Sequence, residues 1–172
     1  YILHGGDLFQ RPEVYQSIIN NQLEILKTFP VPIHVVLGNH DIFDGDLNNL
    51  SESLIGLASK EENINILNSN PNFLEKEGVK LQLTGRRHTP DIDENSDNYF
   101  VSKDKNCDYA INVVHGMLLP EISYKKHTLI EDIKTEADIT LVGHYHSGFK
   151  PIEFKKDKYI INPSSFKDYN SF

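Results

Sequence analysis

The sequence predicts an α/β domain built on parallel strands, and three observations lead there. Short apolar runs alternate with helical spacings of apolar residues as far as Leu67, the pattern of successive strand, helix and strand units. Beyond Val79 the period changes to the alternation of a strand with two unlike faces. Four of the apolar runs also end beside carboxylate, amide or imidazole groups, so the chemistry collects at strand ends.

Taken in order, Tyr1-Ile2-Leu3 reads as the tail of a strand with no Met before it, so upstream sequence is expected to be missing. Pro12-Glu13 starts a helix, in which Val14, Ile18, Ile19, Gln22, Leu23, Ile25 and Leu26 keep helical spacing until Pro30 stops it. A buried strand follows from Ile33 to Leu37. Leu47, Leu50, Leu54, Ile55 and Ala58 mark a second amphipathic helix, its apolar stripe facing the core, and Ile64 to Leu67 a short strand. Val79, Leu81 and Leu83 then share one face, with Lys80 and Gln82 on a wetter one. Residues 86–108 are polar and aperiodic, which predicts a long functional loop with a short strand near Tyr99 to Val101. Further strands are expected at Ile111 to Val114, Ile139 to Val142, Ile152 to Phe154 and Tyr159 to Ile161. No repeat interrupts the chain, so residues 1–172 are read as one domain, cut short at the N-terminus and open to truncation at the C-terminus.

At 172 residues the chain is long enough to bury a real core. Hydrophobic content of 38% against 24% charged residues is too high for disorder. Cys107 is the one cysteine, which rules out an internal disulfide and suits a reducing compartment. No apolar run approaches the ~18 residues of a membrane span. The formal net charge of -8 argues against a binder that holds nucleic acid by charge alone. An enzyme acting on a phosphodiester stays open, because bound cations would reverse the local field.

The strand-end groups are Gly6-Asp7, Gly38-Asn39-His40-Asp41, His115-Gly116 and Gly143-His144-Tyr145-His146. Two divalent ions ~3.5–4 Å apart can hold a phosphate ester, activate water and neutralise the charge of an in-line displacement. Such a pair needs a bridging carboxylate, imidazoles and often an amide oxygen. Asp7 suits the bridge. Asn39, His115 and His144 suit one ion and His146 the other, since residues i and i+2 of an extended segment point the same way ~6.5 Å apart. His40 projects away from Asn39 and is expected to serve the chemistry, donating a proton to the leaving oxygen or stabilising the transition state, with Asp41 orienting it.

These residues resemble the calcineurin-like metallophosphoesterases, whose motif order is Asp-x-His, Gly-Asp, Gly-Asn-His-Asp or -Glu, His-Gly and Gly-His-x-His. All but the first are present, and they span nearly the whole chain. The resemblance implies a four-layer α-β-β-α sandwich of two mixed sheets, with an N-terminal strand missing. It implies Asp7 as the bridge, Asn39, His115 and His144 on one ion, His146 on the other and His40 as catalytic residue. The absent Asp-x-His would complete the second ion, or else the chain binds only one metal well. The cofactor expected is a pair of divalent ions, manganese first, with iron, zinc, cobalt and nickel as alternatives. Gly5-Gly6-Asp7-Leu8-Phe9 looks like the SbcD-type DNA repair exonucleases, and the segments around His115 and His144 look like their phage and bacterial relatives. That implies DNA as substrate, an ATPase subunit or a second copy of the chain as partner, no membrane, and a cytoplasmic location. Asn162-Pro163-Ser164-Ser165 resembles the family's closing turn with Ser164 in place of Gly, a source of strain.

The remaining histidines read differently. His34 is expected to pack within its strand, His127 to lie at the surface, and His4 to precede the site without a required role. His88, after Arg86-Arg87, is expected in a solvated loop, with phosphate contact as the alternative. The function expected is a phosphodiester hydrolase of the exonuclease kind. Its rivals are a phosphomonoesterase or small-molecule phosphodiesterase, and an inactive binding scaffold.

Overall fold

Alternation along the strands builds two sheets that share an apolar layer. The computed structural model describes residues 1–13, 16–61 and 63–165. β1 (Ile2–His4), β2 (Ile33–Val36) and β3 (Ile64–Leu67) form one sheet, parallel throughout. The strand and helix spacing predicts that arrangement, whereas the family resemblance implied a mixed sheet. The crossovers of this first sheet carry helical segments that return the chain in the same direction, which makes neighbouring strands parallel.

The second sheet is mixed. It takes β4 (Asn72–Lys76), β5 (Val79–Arg86) and β6 (Tyr109–Gly116), and then, after a separate parallel pair β7 (Leu118–Leu119) and β8 (Thr128–Leu129), β9 (Ile139–His144), β10 (Phe149–Lys155) and β11 (Lys158–Asn162). The spatial order is β10-β11-β9-β6-β5-β4, with β5, β6, β9 and β11 parallel and the outer strands antiparallel.

Three apolar layers hold these parts together. On the helical side of the first sheet, Leu26 of α1 (Gln16–Lys27) and Leu54 and Ile55 of α2 (Leu54–Ala58) pack with Ile33, Val35 and Ile64. Between the sheets lie Val36, Leu67, Leu83 and Val113, with Leu3 and Leu141 against them. Val36, Leu83 and Val113 are wholly buried, and each such side chain contributes about 1.5–3 kcal/mol. The outer face of the six-stranded sheet is closed by Ile92, Tyr99, Ile130 and Ile133 against Val114, Val142 and Ile160. Ile92 and Tyr99 come from 3-10 turns, and no α-helix among the described residues covers this face. The polar 86–108 segment has no 3.6-residue period with which to build one.

Several local expectations change. Ser53 divides the second helix into a 3-10 segment, Leu47–Glu52, and α2, because its hydroxyl accepts the Gly56 amide at 3.2 Å and donates to the Leu50 carbonyl at 2.8 Å. Leu47 is consequently exposed, and so is Ile25 on the outer side of α1. Val14 lies outside the described residues. The segment at Tyr99 is a 3-10 turn, Ser96–Tyr99, rather than a strand, with the Asn95 side chain accepting from the Asp97 amide. Gln82 is buried, not wet: its amide donates to the Ser102 carbonyl and accepts from the Asp104 amide, at 2.8 and 2.7 Å. The hairpin that adds β4 turns on Glu77 and Gly78, at φ 53° and 80°, the left-handed pair of a two-residue hairpin turn.

Candidate metal centre

Topology gathers the four motifs. Strands β1 and β2 are paired in parallel, so Asp7 and the 38–41 turn leave the first sheet at the same end. In the second sheet β6 and β9 are also parallel, with His115 opposite Gly143 and Gly116 opposite His144. The two pairs of ends meet because Gly5 and Gly143 let the sheets approach. A Cβ on Gly143 would run into the Gly5 carbonyl, and one on Gly5 would lie 3.0 Å from the Gly143 backbone. Further along, the Gly85 amide donates to the Asn68 carbonyl at 2.8 Å and the His88 amide to the Leu37 carbonyl at 2.9 Å.

Two ligand candidates sit in the left-handed region, Asp7 at φ 54° and His144 at φ 78°. Such strain costs about 1–3 kcal/mol per residue and persists only where neighbours enforce it. At Asp7 the neighbour is Asp41. Its buried carboxylate accepts the Asp7 and Gly38 amides, each at 2.8 Å, and the Phe9 amide at 3.4 Å. Asp41 thus braces the Asp7 turn from below. Its hydrogen bonds go to these backbone amides and not to the His40 ring, which corrects the expected orienting role.

The donor atoms converge on His115 Nε2. Asp7 Oδ2 lies 3.2 Å away, Asn39 Oδ1 3.1 Å and His144 Nδ1 3.1 Å. The other ring nitrogen, Nδ1, must carry a proton, because it meets the Gly5 carbonyl at 2.6 Å. That bond fixes the tautomer in which Nε2 presents its lone pair, as metal-bound histidines do. Nε2 then faces a carboxylate and an amide oxygen, acceptors all, a set that only a cation or a second proton reconciles. Ligands held ~2.0–2.2 Å from a single ion lie ~2.9–3.5 Å from one another, so the spacings fit one. Asp7, His115 and His144 have ligand atoms within 4.8 Å of one another, and no second group of this kind occurs among the described residues.

Electrostatics favours the ligand forms. In the metal-free protein a second proton on His115 would take the cation's place: burial raises the Asp7 carboxyl, but the hydrogen bond and charge of that His115 cation, with the His40 amide and ring, bring it net below its ordinary value. Burial first, then His115 and His88, lower His144 from 6.5 to about 4. Burial likewise leads the lowering of His4, His34 and His88. All four bind a proton more weakly folded than unfolded, so their contribution to stability is complete above the ordinary histidine value. It is lost as pH falls below that value. The urea midpoint of the metal-free protein should therefore be level at neutral pH and fall steadily from about pH 6.5 toward the His144 value of about 4. A flat profile across that interval would show that these rings are solvated.

The other site residues divide. Asn39 and His40 are exposed, and the His40 amide donates to Asp7 Oδ1 at 2.8 Å. β9 ends at His144, whose positive φ breaks the extended geometry expected for residues 144–146, and His146 sits exposed on the following turn. Its carbonyl accepts the Ser164 hydroxyl at 2.6 Å and the Ser165 amide at 3.0 Å. Ser164 has φ 73°, the strain expected of Ser in a turn suited to Gly. His34 is buried, with no hydrogen bond to either ring nitrogen among the described residues, and His127 is half-buried, its Nδ1 held by the Lys125 carbonyl at 2.6 Å.

Two residues that the motifs do not include belong near the site. The His88 ring centroid is 5.4 Å from that of His144 and 6.1 Å from that of His115. Asp93 supports the same end of β6, accepting the Tyr99 hydroxyl at 2.5 Å and the Met117 amide at 3.1 Å. In sequence, phosphate contact is the alternative reading of His88, and only the loop length hints at Asp93.

Among known families, the model described as calcineurin-like phosphoesterase matches residues 1–148. Comparison with curated proteins gives no match.

Proposed function

The chain belongs to the calcineurin-like phosphoesterase family, and on that premise we propose that it hydrolyses phosphodiester bonds of DNA in the manner of an exonuclease. The family makes it a metal-dependent phosphoesterase. The observation that carries the reading is the convergence of Asp7, Asn39 and His144 on the His115 Nε2 lone pair. An inactive scaffold has no use for that set or for the Gly5 carbonyl that orients it.

In this proposal Asp7, Asn39, His115 and His144 hold one divalent ion, manganese by preference. A second ion would be held, among this chain's residues, by Asp7 and His146. When bound, the ions supply positive charge to the phosphoryl oxygens and acidify a water for attack. Asp41 keeps Asp7 in its strained turn. His40, exposed and tied to Asp7 through its own amide, gives a proton to the leaving oxygen. Asn39, His40 and His146 are all exposed, so the centre lies open to a polymer. The cellular setting we propose is the cytoplasm, with an ATPase subunit or a second copy of the chain helping to hold DNA.

The net charge of -8 favours a second reading, a phosphatase or small-molecule phosphodiesterase with the same centre. The two separate on substrates. With manganese, the protein should release nucleotides from single-stranded or end-containing DNA and cleave bis-p-nitrophenyl phosphate faster than p-nitrophenyl phosphate. A clear preference for the monoester, with no nucleotide release, would assign the phosphatase.

A further inference from the structure

We propose that His88 is a substrate-binding residue that donates a ring N–H to a non-bridging oxygen of the phosphoryl group held at the centre. The inference rests on the metallophosphoesterase reading and adds a residue that the family motifs do not include. His88 stands 5.4 and 6.1 Å, centroid to centroid, from His144 and His115, yet it is outside the group whose donor atoms meet. It occupies a second rank, beyond direct ligation. A phosphoryl oxygen resting on the ion would project outward by ~2 Å or more from the ligand shell, and an imidazole in that rank can reach it at hydrogen-bond length.

The placement is built rather than incidental. The His88 amide donates to the Leu37 carbonyl at 2.9 Å, directly before the Gly38-Asn39-His40-Asp41 turn. Arg87 Nη1 donates to the His88 carbonyl at 3.2 Å and to the Gly45 carbonyl at 3.3 Å, on the far side of that turn. The backbone at 88 is thus tied to both flanks of the segment carrying Asn39 and His40. The ring itself is half-buried, and no hydrogen bond to either of its nitrogens occurs among the described residues. A donor fixed by its backbone and left without a partner beside an anion-binding centre is suited to the anion.

The test uses the whole protein loaded with manganese, and compares wild type, His88→Ala and His88→Gln. Inorganic phosphate is titrated by calorimetry, metal content is measured on the same samples, and kcat and KM are determined with bis-p-nitrophenyl phosphate. His88→Ala should bind phosphate ~10- to 100-fold more weakly, the size of a hydrogen bond to a charged group, with unchanged metal content. His88→Gln, which keeps an N–H, should recover part of that loss. Unchanged phosphate affinity in His88→Ala, or metal content falling in step with it, would overturn the role of His88 while leaving an active wild type as a phosphoesterase. A manganese-loaded wild type that neither binds phosphate nor cleaves the diester would overturn the enzymatic reading, and this inference with it.

Discussion

Asp7→Asn should empty the metal centre while leaving the fold intact. The Asp7 carboxylate accepts the His40 amide through Oδ1 and faces His115 Nε2 through Oδ2, 3.2 Å away. An asparagine can keep its oxygen on the His40 amide and turn its NH2 toward Nε2. That arrangement satisfies every group and occupies the lone pair on which metal binding depends. Loss of the charge and of the lone pair act together, so metal content should collapse and turnover should fall by at least ~10²–10³-fold, the scale of losing one strong transition-state contact. The urea midpoint of the metal-free variant should match or exceed that of the metal-free wild type. Unchanged metal stoichiometry would remove Asp7 from the centre.

His40→Ala should give the complementary result. Among the described residues the hydrogen bond from His40 to Asp7 comes from the His40 backbone and not from its exposed ring, so alanine retains it. Metal content should therefore stay near the wild-type level while turnover drops ~10²–10⁴-fold, the range for a general acid or base. A loss of metal equal to that of His144→Ala would make His40 a ligand instead.

Much of this was legible in the sequence, for reasons visible at particular residues. Asp7, Asn39, His115 and His144 follow apolar runs, and the runs became strands whose parallel register brings those four residues together. The apolar runs also marked strands whose side chains are buried, as at Val36 and Val113, whereas the alternation read from Val79 to Leu83 holds at Leu83 and fails at exposed Val79 and buried Gln82. What stayed hidden depends on contacts distant in sequence or on a single backbone angle. The part of Asp41 as a brace is written in amides 32 and 34 residues away. His146 departs from the expected i, i+2 geometry because His144 turns to φ 78°, which no spacing of residue types announces. His88 reads as a solvated loop with phosphate contact as the alternative, and its amide bond to Leu37, distant in sequence, places it beside the centre. The covering of the six-stranded sheet is similar: Ile92 and Tyr99 are buried by short turns, and a polar, aperiodic segment gives no sign of such burial in advance.

The claim at the root of the account is that one divalent ion sits among Asp7, Asn39, His115 and His144. Crystals grown with manganese and recorded at a wavelength where that metal scatters anomalously test it directly. The account predicts an anomalous peak ~2.0–2.3 Å from Asp7 Oδ2, Asn39 Oδ1, His115 Nε2 and a ring nitrogen of His144, with His115 Nδ1 still donating to the Gly5 carbonyl. A protein saturated with manganese that shows no peak there, or shows its strongest peak at other side chains, would contradict it.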